Sequence, residues 1–100
     1  MATKNGLPAI HPGEYLKETL EELGMPQNAF ALSIGVSAMR ISHVIHGKRP
    51  VTAELAVLFG KAFSQTPQYW MNLQTSYDLK VTEKTMARRI RQVRPLDMAA

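Results

Sequence analysis

Apolar side chains recur at helical spacing in every sizeable segment of the chain, and no stretch shows the alternation typical of a β-strand. In the first segment Leu16, Leu20 and Leu23 stand at i, i+4 and i+7, which predicts one buried stripe along a helix. Pro12 suits the first position of that helix, because its missing amide hydrogen would have no partner there in any case. The hydrophobic pattern therefore predicts an all-α protein.

Capping residues and glycines mark the ends of the predicted helices. Residues placed to cap a helix start are His11, Ser37, Thr52 and Thr66. Glycines placed for a left-handed helix end are Gly24, Gly35 and Gly47. Between these signals the sequence predicts five helices, over residues 12–23, 27–34, 38–45, 53–63 and 67–77.

The tail predicts a further amphipathic helix. Met86, Ile90 and Val93 again stand at i, i+4 and i+7, within residues 82–94. The final residues, from Asp97 onward, show no such pattern, and we expect them to fray. The tail is therefore a separate amphipathic element whose apolar side needs a partner.

Composition places the chain among small single-domain proteins. Its 100 residues, 45% of them apolar, suffice for one modest core. The absence of cysteine excludes a disulfide framework and a thiolate metal site, and it suits a reducing compartment. No apolar run approaches the roughly 18 residues that span a bilayer, and the first residues lack the apolar part of a signal peptide. We therefore expect a soluble, cytoplasmic protein with no membrane partner.

The positive charge is concentrated at the C-terminal end of the chain. The formal net charge is +4, and residues 80–100 account for it with six basic side chains against two acidic ones. Residues 1–79 sum to zero, although the first helix is acidic through Glu14, Glu18, Glu21 and Glu22. Such a polarised chain suits a nucleic-acid partner, but ordinary solvated helix faces explain the charges equally well.

Residues 27–47 carry the most informative pattern. Two helices that cross steeply through a tight turn need a small residue at the crossing, and Ala31 supplies it. Four positions later the turn needs a residue that tolerates positive φ, which Gly35 provides. Six positions further on, Ile41 is the branched apolar residue that locks the second helix to the core. This spacing is typical of a DNA-binding helix-turn-helix, with residues 38–45 as its recognition helix.

A helical corner that binds nothing would share these three positions. The match extends further here, because Val36 and Val44 add apolar support and Ser37 can cap the recognition helix. The basic pair Lys48 and Arg49 follows that helix directly. These features favour the DNA-binding interpretation over the inert corner.

Four segments of the sequence resemble the HigA antitoxins, a branch of the phage-repressor-like Xre group. They are HPGEYLKETLEELGM, QNAFALSIGVS, ISHVIHGKRPVTAE and TPQYWMNLQTSYDL, within residues 7–80. Many repressors share the helix-turn-helix part, whereas GKRPVTAE and the segment that follows it are more specific. The resemblance implies a five-helix DNA-binding domain over residues 1–79 with its motif at 27–47. The basic extension over residues 80–100 has no fixed counterpart in the family, and a dimerising role for it is a hypothesis.

The resemblance implies two roles. One is neutralisation of a HigB or RelE-like toxin that cleaves messenger RNA, and the other is repression of its own operon as a homodimer on a pseudo-palindromic DNA operator. Two alternatives stay open: an interaction module that sequesters a toxin or other partner without operator binding, and a solitary Xre-type regulator without a toxin. No nucleophile–base pair, phosphate loop or carboxylate dyad stands out, so we expect no enzyme activity and no cofactor.

The recognition helix and its flanks supply the predicted DNA contacts. Candidate base-reading residues on its first turn and outward face are Ala38, Met39, Arg40, Ser42 and His43. Candidate phosphate contacts, at helix N-termini and just past the recognition helix, are Gln27, Ser37, Lys48 and Arg49. Arg40 suits either role. His43 and His46 have a spacing that can chelate a metal, but a third ligand is missing nearby, and no metal site is predicted.

Dimerisation is expected through the fifth helix and the tail. One helix-turn-helix buries too little DNA for high affinity, and the apolar stripe of the tail needs a partner. The candidate interface residues are Trp70, Leu73, Met86 and Ile90. For Trp70, a position in the core is the other interpretation.

Overall fold

Six helices make up the computed structural model, which describes residues 8–98. They are α1 (Pro12–Leu23), α2 (Gln27–Ile34), α3 (Ala38–Ile45), α4 (Ala53–Phe63), α5 (Pro67–Thr85) and α6 (Ala87–Gln92). No strand occurs within residues 8–98, so the predicted all-α class is confirmed. The five predicted helix starts also agree with the structure.

Side chains cap the starts of four helices. His11 Nδ1 accepts a hydrogen bond from the Gly13 amide at 2.9 Å and so satisfies one free donor of α1. The hydroxyl oxygens of Ser37, Thr52 and Thr66 do the same for the first turns of α3, α4 and α5. The four capping residues inferred from the sequence are therefore confirmed.

Four helices end in the same left-handed motif, in which the next amides donate back to carbonyls of the last turn. The predicted glycines Gly24, Gly35 and Gly47 provide three of these ends, with φ of 65°, 73° and 74°. The fourth end, after α4, uses Ser64 with φ 56°, the one non-glycine residue with positive φ within residues 8–98. A β-carbon makes that conformation costly, by about 1–2 kcal/mol.

α5 is longer than the sequence pattern predicted. The predicted end near Tyr77 is wrong, because the helix continues to Thr85 and the short α6 follows after Met86. No glycine or proline lies between residues 68 and 94 to stop it. The predicted tail helix is consequently divided between the end of α5 and α6, and position 79 falls inside a continuous helix.

An aromatic cluster between α2, α4 and α5 forms one part of the core. Phe30 and Phe63 stack with ring centroids 5.2 Å apart, and Phe59 meets Trp70 edge to face at 5.1 Å. Trp70 is fully buried and donates from Nε1 to Gln65 Oε1 at 2.8 Å. Aliphatic side chains from α1, α3 and α4 complete the core: Leu16, Leu20, Ile41, Val44 and Leu55.

α1 crosses α3 at very close range. A Cβ added to Gly13 would overlap the carbonyl oxygen of Val44, so this approach requires glycine. The crossing thus fixes α3 against the first two turns of α1.

At the other end of α1, Leu23 is 61% exposed, and its predicted burial is wrong. The reason is that α1 ends at this residue, which leaves the side chain in solvent.

No helix within residues 8–98 has both the length and the apolar character of a membrane-spanning segment.

Candidate nucleic-acid interface

α2 and α3 adopt the geometry that the sequence spacing predicted. Ala31 is buried at the crossing, Gly35 makes the left-handed turn, and Ile41 is fully buried on the inner face of α3. The Val36 amide donates to the Ala31 carbonyl at 3.0 Å and closes the turn. These contacts hold α3 with its opposite face toward solvent.

The outward face of α3 presents a mixed apolar and polar surface. Met39 is 68% exposed, which excludes the core-filling role for its side chain. Ala38 is also exposed, and Ser42 and His43 are half-buried. His46 folds back over this face, with Nδ1 2.8 Å from the Ser42 carbonyl. Met39 and His43 are therefore the side chains most available to a groove.

Arg40 turns toward α4 rather than straight outward. Its Nη1 lies 3.3 Å from Glu54 Oε1, and its Nη2 donates to Thr52 Oγ1 at 3.3 Å. Both partners belong to the start of α4, so Arg40 lies at the edge of the face and links α3 to α4.

Two candidate phosphate contacts stand at helix N-termini. Ser37 Oγ accepts from the Arg40 amide at 3.1 Å, which leaves its hydroxyl hydrogen for an external acceptor. Gln27 opens α2 and lines a hollow of about 340 Å³ together with Glu14, Glu18 and His46. The carboxylates in that hollow lower its attraction for a phosphate, so Gln27 is the less favourable of the two.

Lys48 and Arg49 lie exposed in the loop between α3 and α4, residues 46–52, called here the α3–α4 loop. Their amides both donate to the His43 carbonyl, at 2.8 and 3.3 Å. The left-handed Gly47 makes this reversal possible. The basic pair therefore directly continues the end of α3.

Two buried side chains contact this loop, and neither was predicted from the sequence as a site residue. Gln74 of α5 accepts from the Val51 amide through Oε1 at 2.7 Å. The His11 ring lies against Gly47, where an added Cβ would be 3.7 Å from it. Burial lowers the pKa of His11, an effect opposed by Asp78, by the Arg49 backbone and by Glu14. Both side chains are far from the loop in sequence, so no local sequence pattern could predict their contacts with it.

The predicted dimer residues fall in different environments. Trp70 belongs to the core of the single chain, and its assignment to an interface between copies is wrong. Its large apolar ring is buried by Phe59 and Phe63 and has no free surface to offer. Leu73 and Met86 are half-buried, and Ile90 is 46% exposed.

The carboxylates of α1 form an exposed acidic surface, comprising Glu14, Glu18, Glu21 and Glu22. Within residues 8–98, no group of three or more His, Cys, Asp or Glu side chains is arranged to hold a metal ion.

Comparisons with known proteins agree with this geometry. A helix-turn-helix family model matches residues 16–70. Virulence-associated protein I of Dichelobacter nodosus is 42% identical over 84 residues, which are 83% of this chain and 78% of that protein. Among solved structures, an addiction module antidote protein of the HigA family from Coxiella burnetii has a TM-score of 0.87 at 36% identity, over 90% of this chain and 100% of that one. Antitoxin HigA of Pseudomonas aeruginosa, solved with the higBA promoter, has a TM-score of 0.84 at 33% identity, over 88% and 98%.

The fold and the family match define a protein of the helix-turn-helix class, with α2 and α3 as the motif. Within that class the chain belongs to the HigA antitoxin family, in the Xre-type group. Members of this family are regulators and not enzymes.

Proposed function

We propose that this protein is a DNA-binding antitoxin that represses its own operon as a dimer and neutralises a RelE-like toxin that cleaves messenger RNA. The observation that carries the DNA part is the outward face of α3, which is exposed at Met39 and continued by the basic pair Lys48 and Arg49. The Pseudomonas aeruginosa relative solved with the higBA promoter supports the same role for this chain.

The residues on α3 and just after it divide into those that contact bases and those that contact phosphates. Met39 and Ala38 offer apolar contact to a thymine methyl group, and His43 offers a hydrogen bond to a base edge. Lys48 and Arg49 lie past the end of the helix, where a side chain reaches phosphate more easily than a base. Ser42, whose hydroxyl lies 3.4 Å from His46 Nδ1, contributes less to reading. The turn of Arg40 toward Thr52 favours a phosphate contact for it over a base contact.

Competition binding with alanine variants separates the two groups of residues. Met39→Ala or His43→Ala costs about 1–3 kcal/mol on the native operator and less on unrelated DNA, because base contacts are lost. Lys48→Ala with Arg49→Ala weakens binding to all duplexes alike and lowers the salt slope by about two, because two phosphate contacts are lost. Each group thus serves as the control for the other.

If Met39→Ala and His43→Ala both leave the ratio of specific to non-specific affinity unchanged, the outward face of α3 does not read the operator sequence. Absence of any protected operator in a footprint, with toxin binding intact, would instead favour an interaction module without operator binding.

The acidic surface of α1 is the proposed toxin contact. A nuclease that holds RNA is expected to be basic, and the exposed carboxylates of α1 complement such a surface. Glu18 and Glu22 lie one helical turn apart and so share a face. Met39 and His43 do not line the hollow that Glu14 and Glu18 share with Gln27 and His46, so we expect toxin binding to be independent of these two side chains.

Charge reversal tests that surface. Glu18→Lys with Glu22→Lys should weaken the toxin complex at least about tenfold by lost attraction and should not weaken operator binding, measured by calorimetry and gel shift. Glu83→Lys, a reversal near the far end of α5, is the control and should leave the toxin complex intact. Undiminished toxin binding by the double variant would remove α1 from the interface.

A further inference from the structure

The two buried polar side chains of residues 8–98 both hold the α3–α4 loop. His11 is 8% exposed and precedes α1, and Gln74 is 5% exposed and lies on α5. A polar group is costly to bury unless it is hydrogen-bonded, so a fold that keeps such a group uses it to fix a partner. The shared partner here is the segment that carries Lys48 and Arg49.

Gln74 fixes the far end of the loop. Its Oε1 accepts from the Val51 amide at 2.7 Å, and its Nε2 donates to Asp78 Oδ1 at 3.0 Å. Because both ends of the amide group are engaged, the side chain is held in one orientation. Val51 is itself buried, so its amide has no water to replace this acceptor.

His11 fixes the near end of the loop. Its ring meets the Tyr77 ring edge to face with centroids 4.9 Å apart, and its Nδ1 accepts from the Gly13 amide. A Cβ added to Gly47 would lie 3.7 Å from this ring, so the loop packs directly on it.

We infer that Gln74 and His11 are positioning residues for DNA binding, which hold the α3–α4 loop so that Lys48 and Arg49 meet the phosphates without further ordering. The loop part of this inference rests on the hydrogen bonds of Gln74 and on the packing of the His11 ring against Gly47, and its DNA part rests on the proposed function. A loop that is already fixed loses less conformational freedom when the complex forms, so its contacts contribute more to affinity. The two side chains act through the basic pair and make no contact with DNA themselves.

Hydrogen–deuterium exchange of the free protein tests the loop part. Gln74→Leu preserves volume and removes the acceptor for Val51, so the amides of Lys48 and Arg49 should exchange at least about fivefold faster. Gln68→Leu is the matched control, because Gln68 makes the same kind of bond along α5, to Asn72 at 2.8 Å, on the exposed face. It should leave those amides unchanged.

If Gln74→Leu does not fold, Asp78→Ala supplies the milder variant. It removes the partner of the Gln74 amide nitrogen, together with a carboxylate that acts on His11, and keeps the acceptor for Val51. It should raise exchange of the same loop amides, but by less. Unchanged protection of Lys48 and Arg49 in a folded variant would overturn the inference.

A double-mutant cycle tests the DNA part. The loss of affinity from Lys48→Ala with Arg49→Ala is measured on an unrelated duplex, in the wild-type and in the Gln74→Leu background. We expect the loss to be smaller in the Gln74→Leu background, with the salt slope already lowered by about one before the basic pair is removed. If removal of the basic pair lowers the affinity by the same factor in both backgrounds, Gln74 serves folding alone and the inference is overturned.

The two arms separate this inference from the proposed function. Faster loop exchange in Gln74→Leu, in a protein that binds no duplex at all, would refute DNA binding and support the positioning of the loop.

Discussion

A single imidazole contacts three parts of the structure, because the His11 ring caps α1, packs on Tyr77 of α5 and holds the α3–α4 loop. Its Nδ1 must be unprotonated to accept from the Gly13 amide, so the neutral ring is the form that the fold uses. The charged form is disfavoured in the same place by burial. One residue therefore gives the fold a dependence on pH.

Acid should lower the stability of the protein through His11. Burial lowers the pKa of His11 below 6.5 in the folded chain, although Asp78, the Arg49 backbone and Glu14 oppose the shift. The unfolded chain therefore takes up a proton first, so the stability that is complete above pH 6.5 falls as the pH drops toward the folded pKa. Urea denaturation at several pH values measures the effect.

His11→Asn is the matched variant for this measurement, because asparagine caps a helix well and does not titrate. His43 and His46 are present in both proteins, so the difference between the two proteins isolates His11. Equal losses of stability on acidification in the two proteins would contradict the assignment.

At the scale of the helices, local signals account for most of what the sequence predicted. Caps and left-handed glycines act within a few residues, so the starts of five helices and the ends of α1 and α2 could be read from the chain directly. The end of α5 could not, because it lacks a stop signal and its last turns extend beyond the core. Continued helix there depends on backbone propensity, which a search for apolar stripes does not detect.

The parts of the site that the sequence did not reveal depend on distant pairs. Arg40 reaches Glu54 across 14 positions, and Gln74 reaches Val51 across 23. Neither spacing is helical, so only the packed fold brings the partners together. The three key positions of the helix-turn-helix were visible because they lie within one short segment, at spacings set by its own geometry.

The end of α4 offers a direct gain in stability. Ser64 holds φ 56°, which glycine adopts without the Cβ penalty. Ser64→Gly should raise the free energy of unfolding by about 0.5–1 kcal/mol, after the greater freedom of glycine in the unfolded chain is deducted. Chemical denaturation gives the value.

The same motif provides the reverse control. Gly24→Ala places a Cβ in open space at φ 65°, so it introduces backbone strain without a clash. It should lower stability by about 1 kcal/mol. No gain at Ser64, together with a loss at Gly24, would mean that Ser64 makes compensating contacts through its side chain.

At the scale of the whole molecule, the C-terminal part projects from the core. The described residues span 52 × 29 × 22 Å, and the apolar side chains of the last segment stay in solvent. They are Ile90, Val93, Leu96 and Met98. Exposed apolar side chains on an extended, basic segment suit a contact with a second copy of the chain.

Dimerisation through this segment should be detectable without DNA. Ile90→Asp should weaken self-association at least about tenfold in sedimentation equilibrium, because a carboxylate would be buried at the interface. Leu32→Asp, at an apolar and still more exposed position on α2, is the control. In the dimer, the two recognition helices would lie about 34–36 Å apart on successive major grooves. A wild-type chain that sediments as a monomer at micromolar concentration would contradict this arrangement.

The burial of Trp70 also determines which of these changes its fluorescence can report. It is the single tryptophan of the chain, and it is enclosed by aromatic rings with its Nε1 bonded to Gln65. We therefore expect its fluorescence to show the blue-shifted emission of an indole in apolar surroundings and to shift to the red when the core opens to water. Because the ring touches neither the face of α3 nor the exposed tail, the emission follows unfolding and stays silent when a duplex or a second copy binds.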